Sequence, residues 1–211
     1  MLTRKNIALL FSNFAAFVVV FIAVYSALVG TDGKLGDNNL DVFKYFTVQS
    51  NVFVGLTSLL TIIFFIIKKN VPNWLIYVKL TSTTAVIITF SVVLFYLAPV
   101  MGVYVVYTGV NFIMHLLVPL LAFFEFLFFV PKIDIKVKSS FLSMIPTFIY
   151  GTFYLTNVVI NNGYGDFNYD WYLLGVAGIW MGLISFSVIL GFSFLISFLI
   201  SFLHKKNIKL K

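Results

Sequence analysis

The sequence predicts an all-α polytopic membrane protein, a bundle of six transmembrane helices with both termini cytoplasmic. Three observations predict it. Hydrophobic residues make up 61% of the 211 positions and charged residues 10%, against roughly 45–50% and about 25% in soluble domains. The excess is gathered into six runs of about 20 residues, the length that crosses a bilayer. Lysine and arginine cluster at alternate ends of those runs, and such clusters mark the cytoplasmic side.

The first span, 7–29, follows Arg4 and Lys5 and is too long and continuous for a signal-peptide core. The second, 46–67, runs into Lys68 and Lys69. The third covers 74–98 and the fourth 109–130, after which Lys132, Lys136 and Lys138 lie in one short connection. The fifth covers 139–160. The sixth, 172–203, is unusually long and ends at Lys205, Lys206, Lys209 and Lys211. Gly175, Gly178, Gly182 and Ser185 form a small-residue stripe along it, which reads as a close helix contact. The loop 30–45 is polar and glycine-bearing, and is expected to fold over the outer mouth. The whole chain, 1–211, reads as one domain. No internal repeat is visible, which disfavours a transporter built from paired halves.

Composition excludes several functions. The net charge of +7 is spread over short loops and the tail, with no basic domain to hold a duplex, so nucleic acid is not a partner. There is no cysteine, hence no disulfide, thiolate metal site or cysteine nucleophile. The two histidines stand at opposite ends of their spans and make no zinc site, and no other cofactor is implied. Asp32, Asp37, Asp41, Asp166 and Asp170 lack the spacing of a calcium loop and read as solvated loop charge. No nucleophile elbow, H-E-x-x-H pair or phosphate-binding glycine loop occurs. Lysine outnumbers arginine 13 to 1, and Ile, Asn and Phe are abundant. That bias points to an AT-rich coding sequence and a bacterial plasma membrane.

The polar residues inside the spans follow helical spacing. Thr47, Ser50, Asn51, Ser58 and Thr61 share one face of the second span; Asn111 and His115 lie four apart on the fourth; Tyr150, Tyr154, Asn157 and Asn161 share a face of the fifth. Such faces turn into a bundle rather than toward lipid. At about 1.5 Å per residue, Thr47 lies roughly 31 Å from the level of Lys68, Asn51 and His115 each roughly 25 Å from Lys68 and Lys132, and Asn157 roughly 28 Å from Lys138. They fall in one outer layer. Pro119 cannot donate to the His115 carbonyl, so the helix is expected to kink there and leave that carbonyl seeking a partner. Glu125 is too deep to orient His115 and reads as interfacial or paired with a lysine such as Lys79.

This pattern supports a nucleophile and a base. A threonine hydroxyl becomes nucleophilic when a neutral imidazole takes its proton, which places Thr47 and His115 in those roles against an ester carbonyl. Ser50, Asn51, Asn111, Asn157 or a backbone N–H are the candidates for binding substrate or oxyanion. Two other readings stand beside it. The polar layer serves as a lipid or small-molecule binding or transport site with no chemistry, or it is interhelical glue.

Two stretches, "KYFTVQSNVFVGL" at 44–56 and "NFIMHLLVPLLAFFEFLFFVPK" at 111–132, resemble the androgen-induced gene one / androgen-dependent TFPI-regulating family and its bacterial six-span relatives. The family pattern is a Phe-Thr-x-x-(Ser/Thr)-Asn start to the second span and a His-x-x-Val-Pro run in the fourth. The resemblance implies six spans and hydrolysis of fatty acid esters of hydroxy fatty acids, with Thr47 as nucleophile and His115 as its histidine. A Tyr-Pro-rich loop common before the sixth span is replaced here by "NNGYGDFNYDWY", without proline. The expected partner is a membrane lipid or fatty-acid ester; oligomeric state is not encoded in these motifs.

Overall fold

The structure, a computed structural model, describes residues 3–30 and 39–209. Among them the regular elements are all helical, and six helices are long and apolar enough to cross a membrane: α1 (Arg4–Val29), α2 (Phe46–Lys68), α3 (Asn73–Met101), α4 (Val110–Phe128), α5 (Lys138–Ile160) and α6 (Ile179–Lys209). The chain is an integral membrane protein. Lys34, Asp32 and Asp37 lie outside the described residues.

Local chemistry explains the helix ends. Thr3 caps α1 by accepting the Asn6 N–H at 3.2 Å, and Gly30 closes it in the left-handed region with φ 64°. Lys69 turns left-handed after α2, and Pro72 precedes α3. α5 is interrupted between Lys138–Leu142 and Ile145–Ile160, where Pro146 sits in the first turn of the second piece.

α3 and α4 are the centre of the bundle. Half or more of each apolar stretch is buried, 50% and 56%, against 22% for α6. α1 packs on α2, and α3 packs on α2, α4 and α6. Small hydroxyls join neighbours at close range: Ser50 to Thr89 at 2.9 Å and Thr57 to Ser82 at 3.0 Å, both between α2 and α3. The predicted polar face of α2 is buried throughout at Thr47, Ser50, Asn51, Ser58 and Thr61, and Thr57 joins it.

Deep in the core, Lys79 of α3 pairs with Glu125 of α4 at 3.0 Å, as the sequence suggested. Asn13 of α1 completes the group, donating to Glu125 at 2.8 Å and accepting from Lys79 at 2.7 Å. All three are almost fully buried. Two charges are tolerated at membrane depth because each finds a partner and an amide fills the remaining valence.

Four expectations need correction. The sixth helix begins at Ile179, not 172; residues 161–178 form a non-helical loop over the bundle end. Gly178, with φ 92°, is the left-handed turn that opens α6. The small-residue stripe is therefore broken: Gly175 lies in the loop against Asp170 and Tyr164, and only Gly182 and Ser185 are helical. Close contact between α5 and α6 is made at Gly182, where a Cβ would come 2.9 Å from Leu155, as the stripe predicted, and at Gly151, where a side chain would collide with the Phe186 ring. Asp170 is not solvated charge but is fully buried. His204, which by its place beyond the sixth span was expected at the cytoplasmic tail, lies within α6 and is buried, with Nδ1 3.1 Å from the Phe126 carbonyl.

Candidate functional site at the head of α2

α3 and α4 each carry one π-helical turn, Val93–Leu97 and Ile113–Leu117, and each turn is followed two residues later by a proline, Pro99 or Pro119. The cause is shared. In the wide register the N–H of Val118 reaches the Ile113 carbonyl, five residues back. The next N–H would be that of residue 119, and proline has none. The Met114 carbonyl is thus left without a helical donor in this register.

Asn51 takes up that carbonyl. Its Nδ2 donates to Met114 at 3.2 Å and to the Thr47 carbonyl at 2.7 Å. Both partners are acceptors only, which fixes the amide orientation and leaves Oδ1 buried without a hydrogen-bond partner. The second-span and fourth-span motifs are tied together at this one side chain.

His115 is 6% exposed, and its Nδ1 lies 2.7 Å from the Val106 carbonyl. A carbonyl only accepts, so Nδ1 carries the proton and Nε2 the lone pair. Among the described residues a backbone carbonyl, not an acid, orients the ring. Val106 closes a one-turn helix, Val103–Val106, after Gly102 at φ 93°. Asn111 holds the same segment by donating to the Val105 carbonyl at 3.1 Å. The Tyr107 ring meets His115 edge-on at 6.5 Å, and its buried hydroxyl has no partner.

Thr47 faces the other way. α2 has no side-chain cap of its own, and the phenol of Tyr172, from the 161–178 loop, replaces one. Its oxygen accepts the Phe46 N–H at 2.9 Å and is in hydrogen-bond contact with Thr47. Burial pushes the Tyr172 phenol up from its ordinary value, so it remains protonated at neutral pH. Tyr150 lies against it, donating to the Lys44 carbonyl at 2.8 Å and accepting from Trp171 Nε1 at 3.0 Å. The loop is braced by Asp170, which accepts from the Gly165 and Gly175 N–H groups at 3.0 Å each and from the Tyr154 hydroxyl.

Thr47 lines an apolar cavity of about 60 Å³ among α2, α3, α5, α6 and the loop, with Thr89, Tyr150, Tyr154, Tyr172 and Leu174 on its wall. His115 is not on that wall, and Thr47 and His115 are not hydrogen-bonded to each other. Their link is Asn51. Ser50 bonds the Thr47 carbonyl at 3.1 Å and Thr89 at 2.9 Å, a packing role. Asn157 donates to the Tyr169 carbonyl at 3.0 Å and borders a separate groove between α2 and α5. Sequence reasoning missed Tyr172, Asp170 and the Val106 carbonyl; the aromatic density of residues 164–172 was the one signal available. Among the described residues no cluster of metal-ligating side chains occurs.

Fold and site together define the class: a six-span helical membrane protein with a polar site enclosed at one end of its bundle. No family model, no curated protein and no solved structure matches the chain.

Proposed function

We propose that the protein is a membrane hydrolase of lipid esters, with Thr47 as nucleophile and His115 as general base, and with fatty acid esters of hydroxy fatty acids as the substrate class that the motif resemblance implies. The site faces away from the cytoplasm in this reading, because the lysine-rich connections lie at the opposite end. The observation that carries it is the locked imidazole. The Val106 carbonyl holds His115 with its Nε2 lone pair available, and Asn51 joins that turn to Thr47. Thr47 Oγ1 attacks the ester carbonyl and its proton passes to Nε2. The imidazolium then protonates the departing alkoxide, and water cleaves the acyl-threonine by the same route. The apolar cavity beside Thr47 takes part of the acyl chain. Thr47 and His115 close on each other in the substrate complex, since catalytic hydrogen bonds often tighten only there.

A second reading, a lipid or small-molecule carrier without chemistry, is favoured by the separation of His115 from the Thr47 cavity. An active-site-directed probe for serine and threonine hydrolases discriminates them. Covalent labelling of purified protein at Thr47, absent in Thr47→Val, is the expected result. Lipid binding without labelling or turnover is the carrier's result.

A further inference from the structure

An ester attacked by Thr47 needs a hydrogen-bond donor for the oxyanion that forms on its carbonyl oxygen. Most donors near Thr47 are committed elsewhere. Ser50 donates to the Thr47 carbonyl, and Asn51 Nδ2 to the carbonyls of Thr47 and Met114. The unpartnered Asn51 Oδ1 only accepts. On the cavity wall, Thr89 donates to the Ala85 carbonyl at 3.3 Å, Tyr150 to the Lys44 carbonyl at 2.8 Å and Tyr154 to Asp170. Thr147 shares a hydrogen bond with Ser193 at 3.5 Å. Asn111 and Asn157 donate to the Val105 and Tyr169 carbonyls and do not line this wall.

Tyr172 is the exception. Its oxygen accepts the Phe46 N–H at 2.9 Å, and the Thr47 N–H and hydroxyl face the same oxygen. Two N–H groups fill the lone pairs of a phenol. What Tyr172 presents to its hydroxyl neighbours, Thr47 and Tyr150, is therefore its proton. Among the described residues no carbonyl or carboxylate takes that proton. The phenol also stands at the N-terminus of the 23-residue α2, the positive end of the helix dipole, where a developing anion is favoured. Its loop is pinned by Asp170 through the Gly165 and Gly175 N–H groups, so the donor is held in place before substrate arrives.

We infer that Tyr172 is a further catalytic residue, the donor that binds the oxyanion of the ester attacked by Thr47; this role rests on the hydrolase reading. In the tetrahedral intermediate the oxyanion and Thr47 Oγ1 are bonded to the same carbon. A phenol already in contact with Oγ1 reaches the oxyanion by a small rotation. As Oγ1 bonds to the carbonyl carbon, its proton passes to His115 Nε2 and the carbonyl π pair moves onto oxygen. The Tyr172 O–H hydrogen-bonds that oxygen and keeps its own proton. The pair then returns, the bond to the leaving alkoxide breaks, and the alkoxide takes the proton from the imidazolium.

The test uses a fatty trifluoromethyl ketone, to which the threonine oxygen adds reversibly to leave a stable oxyanion. Tyr172→Phe is expected to weaken binding of this ketone about a hundredfold and to lower kcat for an ester by a similar factor, the usual effect of removing one oxyanion donor. Affinity for the fatty-acid product, which carries no such oxyanion, should stay near that of wild type. A purely structural phenol would move both affinities together. 3-Fluorotyrosine at position 172 keeps the oxygen that caps α2 and makes its O–H a stronger donor, so it should bind the ketone more tightly than wild type. Ketone affinity that Tyr172→Phe leaves unchanged, or lowers no more than product affinity, overturns the inference while ester turnover by wild type stands. Where Tyr172→Phe fails to fold, ketone binding by the fluorotyrosine protein no tighter than that of wild type overturns it. A wild type that neither cleaves an ester nor adds the ketone overturns the hydrolase reading and the role of Tyr172 with it.

Discussion

Asn51 on α2 hydrogen-bonds the carbonyl of Met114 on α4, a carbonyl that Pro119 leaves without a helical donor. One side chain thus compensates for a proline 68 positions away in the sequence. Asn51→Leu removes both bonds and leaves the Met114 carbonyl buried and unpaired, at a cost of about 1–3 kcal/mol. Pro119→Ala restores an N–H at that position. The double variant is expected to regain part of the stability lost by Asn51→Leu, read as melting temperature in detergent; strictly additive losses would show that the two residues do not share this carbonyl.

Thr47 and His115 are expected to behave as one unit. Thr47→Val, which keeps the branched shape, and His115→Ala should each reduce release of fatty acid from a branched ester by at least about a hundredfold, and the double variant should be little worse than either. Thr47→Ser keeps a hydroxyl and should retain part of the activity. Full turnover by a folded Thr47→Val protein excludes the covalent route.

Tyr172→Phe removes the oxygen that accepts the Phe46 N–H and contacts Thr47. Loss of a cap costs about 1 kcal/mol, so the melting temperature should fall. The phenol also brings a pH dependence with a definite sign. Its folded pKa is raised, so its contribution is complete below the ordinary tyrosine value of about 10 and is lost as the pH climbs above it. The difference in melting temperature between wild type and Tyr172→Phe should therefore shrink in strong alkali; a constant difference would mean that the phenol is not held in a buried site.

The buried Lys79–Glu125 pair should be far more sensitive to loss of one member than of both. Lys79→Met alone strands a carboxylate and should cost about 3–5 kcal/mol. Lys79→Met with Glu125→Leu, two apolar residues in place of two charges, should recover most of it. A double variant as unstable as the single would mean that Asn13 cannot tolerate the loss of both partners.

Because the chain has no cysteine, a single introduced thiol reports one position. Lysine bias predicts that Lys136→Cys is shielded from a membrane-impermeant reagent in intact cells and that Asp166→Cys reacts. The reverse pattern would turn the Thr47 end toward the cytoplasm.

The sequence by itself determined the six spans, because span length and hydropathy are one-dimensional quantities that lipid reads directly. It also determined the buried face of α2, since residues three and four apart must share a side of any helix, and it pointed to the partner of Glu125, because a lone carboxylate cannot remain unpaired at that depth. The start of α6 was misplaced because Trp171, Tyr172 and Leu173 are apolar enough to extend the run; only packing over the bundle end, braced by the buried Asp170, makes them a loop. Likewise the spacing of α4 marked Pro119 as a break, but that the Met114 carbonyl is met by Asn51 from α2 follows from a π turn and a cross-helix contact that a one-dimensional pattern does not display. Tertiary structure alone decided that Tyr172 caps a helix 126 positions earlier and that Val106 orients His115. Those partners are a backbone N–H and a backbone carbonyl, groups that every residue but proline carries in full, so no residue type in the sequence could announce them.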